Sequence, residues 1–165
     1  MTRVRSAVVA LTVAALAAGL LAAPALAKKT TYLGPILGPP AQDPGSSVTF
    51  KLVSKPRNGH LRPVAIKKLF FEFLNVECNS ASGPEPTRFN SIRGGPKVDL
   101  KKGAFAYTDT TSFPDFTVET RGRIPRKGPA TGTFHVTGSY VLPTIGTVTC
   151  DSTVPWEASV YKSPY

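Results

Sequence analysis

The sequence predicts an all-β protein: an antiparallel β-sandwich or jelly-roll-like barrel of seven to nine short strands with little helix. Three observations predict it. Apolar and polar residues alternate at period two, turn signals built on Gly and Pro recur about every ten residues, and no exported segment carries a convincing helical stripe. The chain has 165 residues, which allows one domain rather than two. Its 41% hydrophobic content excludes a disordered tail, and two Cys exclude a cysteine-dense mini-protein. Heptads, collagen periodicity and longer repeats are absent from the sequence.

The first element is an address. Arg3 and Arg5 precede an uncharged run, Ser6 to Ala27, built mainly from Ala, Leu and Val and closing on Ala25-Leu26-Ala27. A basic start, an apolar middle and small residues two apart describe a secretory signal peptide over 1–27. The run is long enough to span a bilayer, so a retained anchor is the competing reading. Its Ala-rich composition and small-residue ending favour cleavage after Ala27. Cleavage removes two Arg and no acid, lowering the formal charge from +10 to +8, and leaves no transmembrane span. The expected location is therefore secreted, either extracellular or associated with the cell envelope.

Residues 28–46 contain Gly34-Pro35, Gly38-Pro39-Pro40 and Pro44-Gly45 and read as a Pro/Gly-rich extended lead-in. Tyr32, Leu33, Ile36 and Leu37 offer apolar side chains for docking on the domain, which is expected over 47–161, with 162–165 as a tail. Val48, Phe50 and Leu52 define one strand face. Ile66 to Cys78 is apolar on both faces, as in a strand covered on both sides or passing from one core to another. A buried helix is the alternative for this segment, disfavoured by its Phe and Val content, and a small helix at Pro63 to Lys68 is a separate option. Shorter strands follow at Phe89–Ile92, Lys97–Leu100, Ala104–Thr108, Phe116–Ile124, Thr131–Val141, Thr147–Cys150 and Trp156–Tyr161.

Cys78 and Cys150 are the only cysteines, both in the exported part. In an oxidising compartment they predict one intramolecular disulfide, and the absence of Cys-x-x-Cys spacing makes it structural rather than catalytic. A loop of 72 residues closed this way contributes about 4 kcal/mol in the chain-entropy description.

No catalytic constellation is read. His60 lies beside an Asn58-Gly59 turn and His135 within a strand, and no Gly-x-Ser-x-Gly elbow or phosphate loop occurs. Two distant His give no zinc spacing, and Asp109 and Asp115 lack the spacing of a calcium loop. No metal or cofactor is expected. Glu72, Glu77, Glu119 and Glu157 on predicted strands keep a small glycan-active hydrolase as the alternative function.

Basic residues occur at Lys67-Lys68, at Lys97 and Lys101-Lys102, and at Arg121, Arg123, Arg126 and Lys127. Alternation places Arg121 and Arg123 on one strand face, so the last four form the candidate anion-binding cluster. Turn-borne Lys and edge Arg also simply keep β-proteins soluble. For an exported chain, wall polymers or anionic lipid head groups are the expected partners rather than nucleic acid.

The stretches Phe73-Leu74-Asn75-Val76-Glu77-Cys78, Gly122-Arg123-Ile124 with Ala130-Thr131-Gly132-Thr133-Phe134, and Cys150 to Trp156 together resemble small secreted β-proteins of actinobacterial type. Such proteins have one disulfide, a late Trp and no assigned activity. The resemblance covers about residues 47–161, departs at Pro155, implies a sandwich or jelly-roll-like fold, and carries no catalytic residue across. Together these readings predict a secreted, non-enzymatic structural or binding module.

Overall fold

The computed structural model describes residues 27–92 and 95–162. The predicted leader therefore lies outside the described residues, apart from Ala27. Among the described residues nine strands occur in chain order: β1 (Lys28–Pro35), β2 (Ser47–Arg57), β3 (His60–Ser80), β4 (Gly83–Ile92), β5 (Val98–Asp99), β6 (Ala104–Asp109), β7 (Phe116–Arg123), β8 (Ala130–Leu142) and β9 (Gly146–Val160). The described residues contain no helix, so Pro63–Lys68 is strand. The all-β expectation holds, although β3, β8 and β9 are long strands rather than short ones.

Every pairing is antiparallel, in the order β4-β3-β2-β1-β9-β8-β7-β6, with β5 beside β3. The arrangement is a β-sandwich-like fold in which one continuous sheet doubles back on itself. Side chains from β2 and β3 meet those from β6, β8 and β9 across the interior. Phe71 lies 5.0 Å from Phe134, and Phe50 lies 5.9 Å from Trp156 and 6.0 Å from Phe105 between ring centroids. Each such pair adds about 0.5–1.5 kcal/mol beyond the area it buries.

The apolar-on-both-faces segment passes from one part of the sheet to another. Left-handed backbone at Lys68 and Phe73, both at φ 54°, interrupts the pleat of β3. Its first part pairs with β2 through register shifts, and its far end reaches β9 at Asn79↔Thr149. The neighbouring Cys78–Cys150 disulfide locks that crossing, as the two cysteines predict.

The segment 28–46 is extended, but it is far more than a lead-in. Lys28–Pro35 is an interior strand held by β2 on one side and β9 on the other, so the sheet begins at Lys28 rather than near Ser47. Tyr32 and Ile36 enter the core, while Leu33 and Leu37 stay exposed. The remainder docks through polar contacts. The Gln42 amide donates to the Asn75 carbonyl and accepts from the Asn75 N–H, and Ser46 Oγ donates to the Phe73 carbonyl at 2.6 Å.

The two last predicted strands are one strand, β9, running through Pro155. Proline in an interior strand removes a ladder donor. Here its carbonyl accepts from Leu37 N–H at 2.8 Å, on the side where β1 has already ended, so little pairing is lost.

Candidate functional site

On β7, Val118 and Thr120 are buried while Arg121 and Arg123 are exposed, which bears out the alternation read from the sequence. Register then builds the surface row by row. Arg123 faces Ala104 on β6 and Thr131 on β8, and Arg121 faces Ala106 and Thr133. Between these rows runs the pairing Phe105–Gly122–Gly132–Trp156, with the Phe and Trp rings turned inward over the two glycines. Trp156 is 1% exposed, a core residue and not a binding platform.

Small side chains over this row leave an open groove of about 810 Å³. Arg121, Arg123 and Lys101 supply its positive charge, Thr131 and Thr133 its hydroxyls, and Asp99 its one acid. Asp99 is an ion-pair partner of Lys97, which holds its carboxyl below the usual range. Arg121 is held by Glu119 through Nε to Oε1 at 2.8 Å and Nη2 to Oε2 at 3.1 Å, and its pKa is raised by that carboxylate. Arg123 and Lys101 have no ion-pair partner among the described residues. Arg126 and Lys127 are exposed in the following turn and do not line the groove. The predicted cluster is thus divided: two members line a groove, and one of those is already engaged.

A second groove, of about 410 Å³, lies between β4 and the 113–116 turn. Phe89, Phe113, Phe116 and Tyr140 line it, with Asp115 as its one acid. Neither groove is lined by two carboxylates, the arrangement that glycoside hydrolysis needs. Glu119 is engaged by Arg121 and Glu157 is exposed on β9, while Glu72 and Glu77 belong to β3.

Asp109 serves the turn that follows it. Its Oδ1 accepts from the N–H groups of Thr111 and Ser112 and from the Thr111 hydroxyl, and its Oδ2 accepts from the Ser112 hydroxyl. Among the described residues no group of three potential metal-ligating side chains occurs. His60 is exposed at the start of β3, and His135 on β8 meets Asp151 Oδ1 at 2.7 Å on the open face. Sequence reasoning missed that pair because the partners meet through the β8–β9 register. It also missed Lys101 as a groove residue, because an isolated bridge to Ala104, and not a strand of its own, places it there.

Comparisons with protein-family models, with curated proteins and with solved structures give no match.

Proposed function

We propose that this protein is an exported, non-enzymatic binding module whose outer groove takes an acidic polymer. The supporting observation is the charge of the groove: Arg121, Arg123 and Lys101 line it with Asp99 as its one lining acid. Asp99 is paired with Lys97 and Arg121 with Glu119, and Arg123 and Lys101 are left without an ion-pair partner among the described residues. Thr131 and Thr133 add hydroxyls for the sugar or polyol part of such a chain. The disulfide between Cys78 and Cys150 suits an oxidising compartment, and no helix among the described residues is long and apolar enough to cross a membrane.

Retention on immobilised heparin across a salt gradient tests the reading. Exposed charge pairing is screened over about 8–10 Å at physiological salt, so elution should come early as salt rises. Lys101→Ala with Arg123→Ala should elute at clearly lower salt than the parent protein. Elution of the double variant at the parent position refutes the groove as the contact surface.

A further inference from the structure

A second group of unneutralised cations lies elsewhere, on the β2–β3 hairpin. Every residue from Lys55 to Pro63 is exposed. β1 ends its pairing with β2 at Ser54, so beyond that point β2 and β3 project as a two-stranded ribbon. Asn58 and Gly59 close the ribbon with φ of 53° and 75°, the positive pair that a type I′ hairpin turn requires. The ribbon is therefore a regular element with a fixed register.

That register sets like charges against each other. Lys55 faces Arg62 and, nearer the body, Lys51 faces Lys67, while Arg57 stands opposite the imidazole of His60. Directly opposed residues have Cβ atoms about 4.5–5.5 Å apart, and like charges there destabilise a hairpin. From Lys51 to Phe71 the chain contains no acid. None of these cations has an ion-pair partner among the described residues. Asp99 on β5, whose carboxyl Lys55 also helps to hold down, is the ion-pair partner of Lys97. Solubility calls for charge, but not for cations matched in cross-strand pairs on a projecting arm.

From this arrangement we infer that the β2–β3 ribbon is a binding site for a phosphodiester polymer of short repeat, of the polyol-phosphate kind. Lys55/Arg62 and Arg57/His60 form successive rungs about 6.6–6.8 Å apart along the strands. A phosphate–glycerol–phosphate link has six bonds and, at ordinary bond lengths, extends about 7 Å, so consecutive phosphates meet consecutive rungs. Arg57 and Arg62 offer planar, two-pronged donors that fit phosphate oxygens. The bound polymer supplies the negative charge that the ribbon lacks. This site goes beyond the groove described above, and the two fail separately.

The test uses the full exported chain, with its disulfide, titrated with poly(glycerol phosphate) of defined length at several salt concentrations. Replacing Lys55, Arg57 and Arg62 together by Ala keeps the Asn58-Gly59 turn and should weaken binding at least tenfold at low salt. It should also reduce the slope of log K against log salt by about 2–3, one unit or slightly less per lost phosphate contact. Lys55→Glu separates binding from folding: it creates an opposite-charge pair with Arg62, so melting temperature should rise while polymer affinity falls. Unchanged affinity in both ribbon variants overturns the inference. So does binding that is lost only in the Lys101→Ala, Arg123→Ala protein, which would place the polymer in the groove instead. Capture by phosphatidylglycerol vesicles without binding of the soluble polymer likewise overturns it.

Discussion

Substituting Gly122 by Ala sets two measurable effects against each other. In the unfolded chain Ala has fewer conformations than Gly, which stabilises the folded state by about 0.4–1 kcal/mol where the native backbone accepts it. Gly122 does not have a left-handed φ, so its backbone raises no objection. Space does. A Cβ at this position would lie 2.5 Å from Phe105 Cε1 and 2.7 Å from Trp156 Cζ2, both inside the closest real approach. These are ring atoms, not flexible ends. Phe105 and Trp156 are 5% and 1% exposed and stack at 6.1 Å, with Phe50 behind both. Overpacking of this kind costs about 1–3 kcal/mol, and two fixed rings place it in the upper part of that range. The net expectation is a loss of about 2 kcal/mol after the entropic gain is subtracted. Trp156 is the only Trp, so its fluorescence during guanidinium unfolding reports directly from the affected row. Phe105→Leu should relieve part of the clash, giving a coupling of about 1 kcal/mol with Gly122→Ala in a double-mutant cycle. A Gly122→Ala protein as stable as the parent, or more stable, refutes the account of an aromatic pair seated on bare backbone.

Replacing both Cys78 and Cys150 by Ala frees a loop of 72 residues and should lower stability by about 4 kcal/mol, read as a shift in denaturant midpoint. A loss below about 1 kcal/mol would show that the chain-entropy description fails for this crossing. At Asp109, burial pushes the carboxyl up, but the bonds from Ser112 and Thr111 outweigh it and leave the pKa below its ordinary value. The resulting stability is fully present above the unfolded-state pKa of about 3.9 and is lost as pH falls through the lower folded-state value. Asp109→Asn should therefore flatten the acid limb of the stability–pH curve and cost roughly 1–3 kcal/mol at neutral pH. An unchanged acid limb in urea melts at pH 2–5 would remove Asp109 from that role.

The parts of the fold that could be read from the chain are those set by local alternation. Phe116–Arg123 shows its two faces in sequence, and the structure keeps Val118 and Thr120 inside with Arg121 and Arg123 outside. Cys78 and Cys150 were readable because two cysteines admit one bridge. Lys28–Pro35 was hidden for the opposite reason. Its identity as a strand comes from ladders on both sides, with β2 and β9, and neither partner is visible from within the segment. Pro155 obscured β9 similarly, because its tolerance depends on β1 stopping at Pro35, far away in the chain. The second groove is also a product of long-range contact: Phe89 meets Phe113 and Phe116 at 4.9 and 5.0 Å across sequence-distant elements.

Charge follows the same division and decides which cations matter. Counting along the chain makes Arg121, Arg123, Arg126 and Lys127 the sharpest cluster, because four cations fall within seven residues. In three dimensions Glu119 occupies Arg121, and the turn leaves Arg126 and Lys127 outside the groove. Lys55, Arg57 and Arg62 look unremarkable in a line, spaced by Pro56 and by Asn58-Gly59-His60-Leu61. The hairpin folds that line in half and places Lys55 against Arg62 and Arg57 against His60. Cross-strand neighbours stand closer than residues two apart on one strand, so pairing raises local potential more than clustering in sequence does. A polyanion responds to that local potential rather than to the total charge. The charged surface of this protein is thus set by which strands pair and in what register, and the ribbon and groove variants rank the two proposed contact surfaces directly.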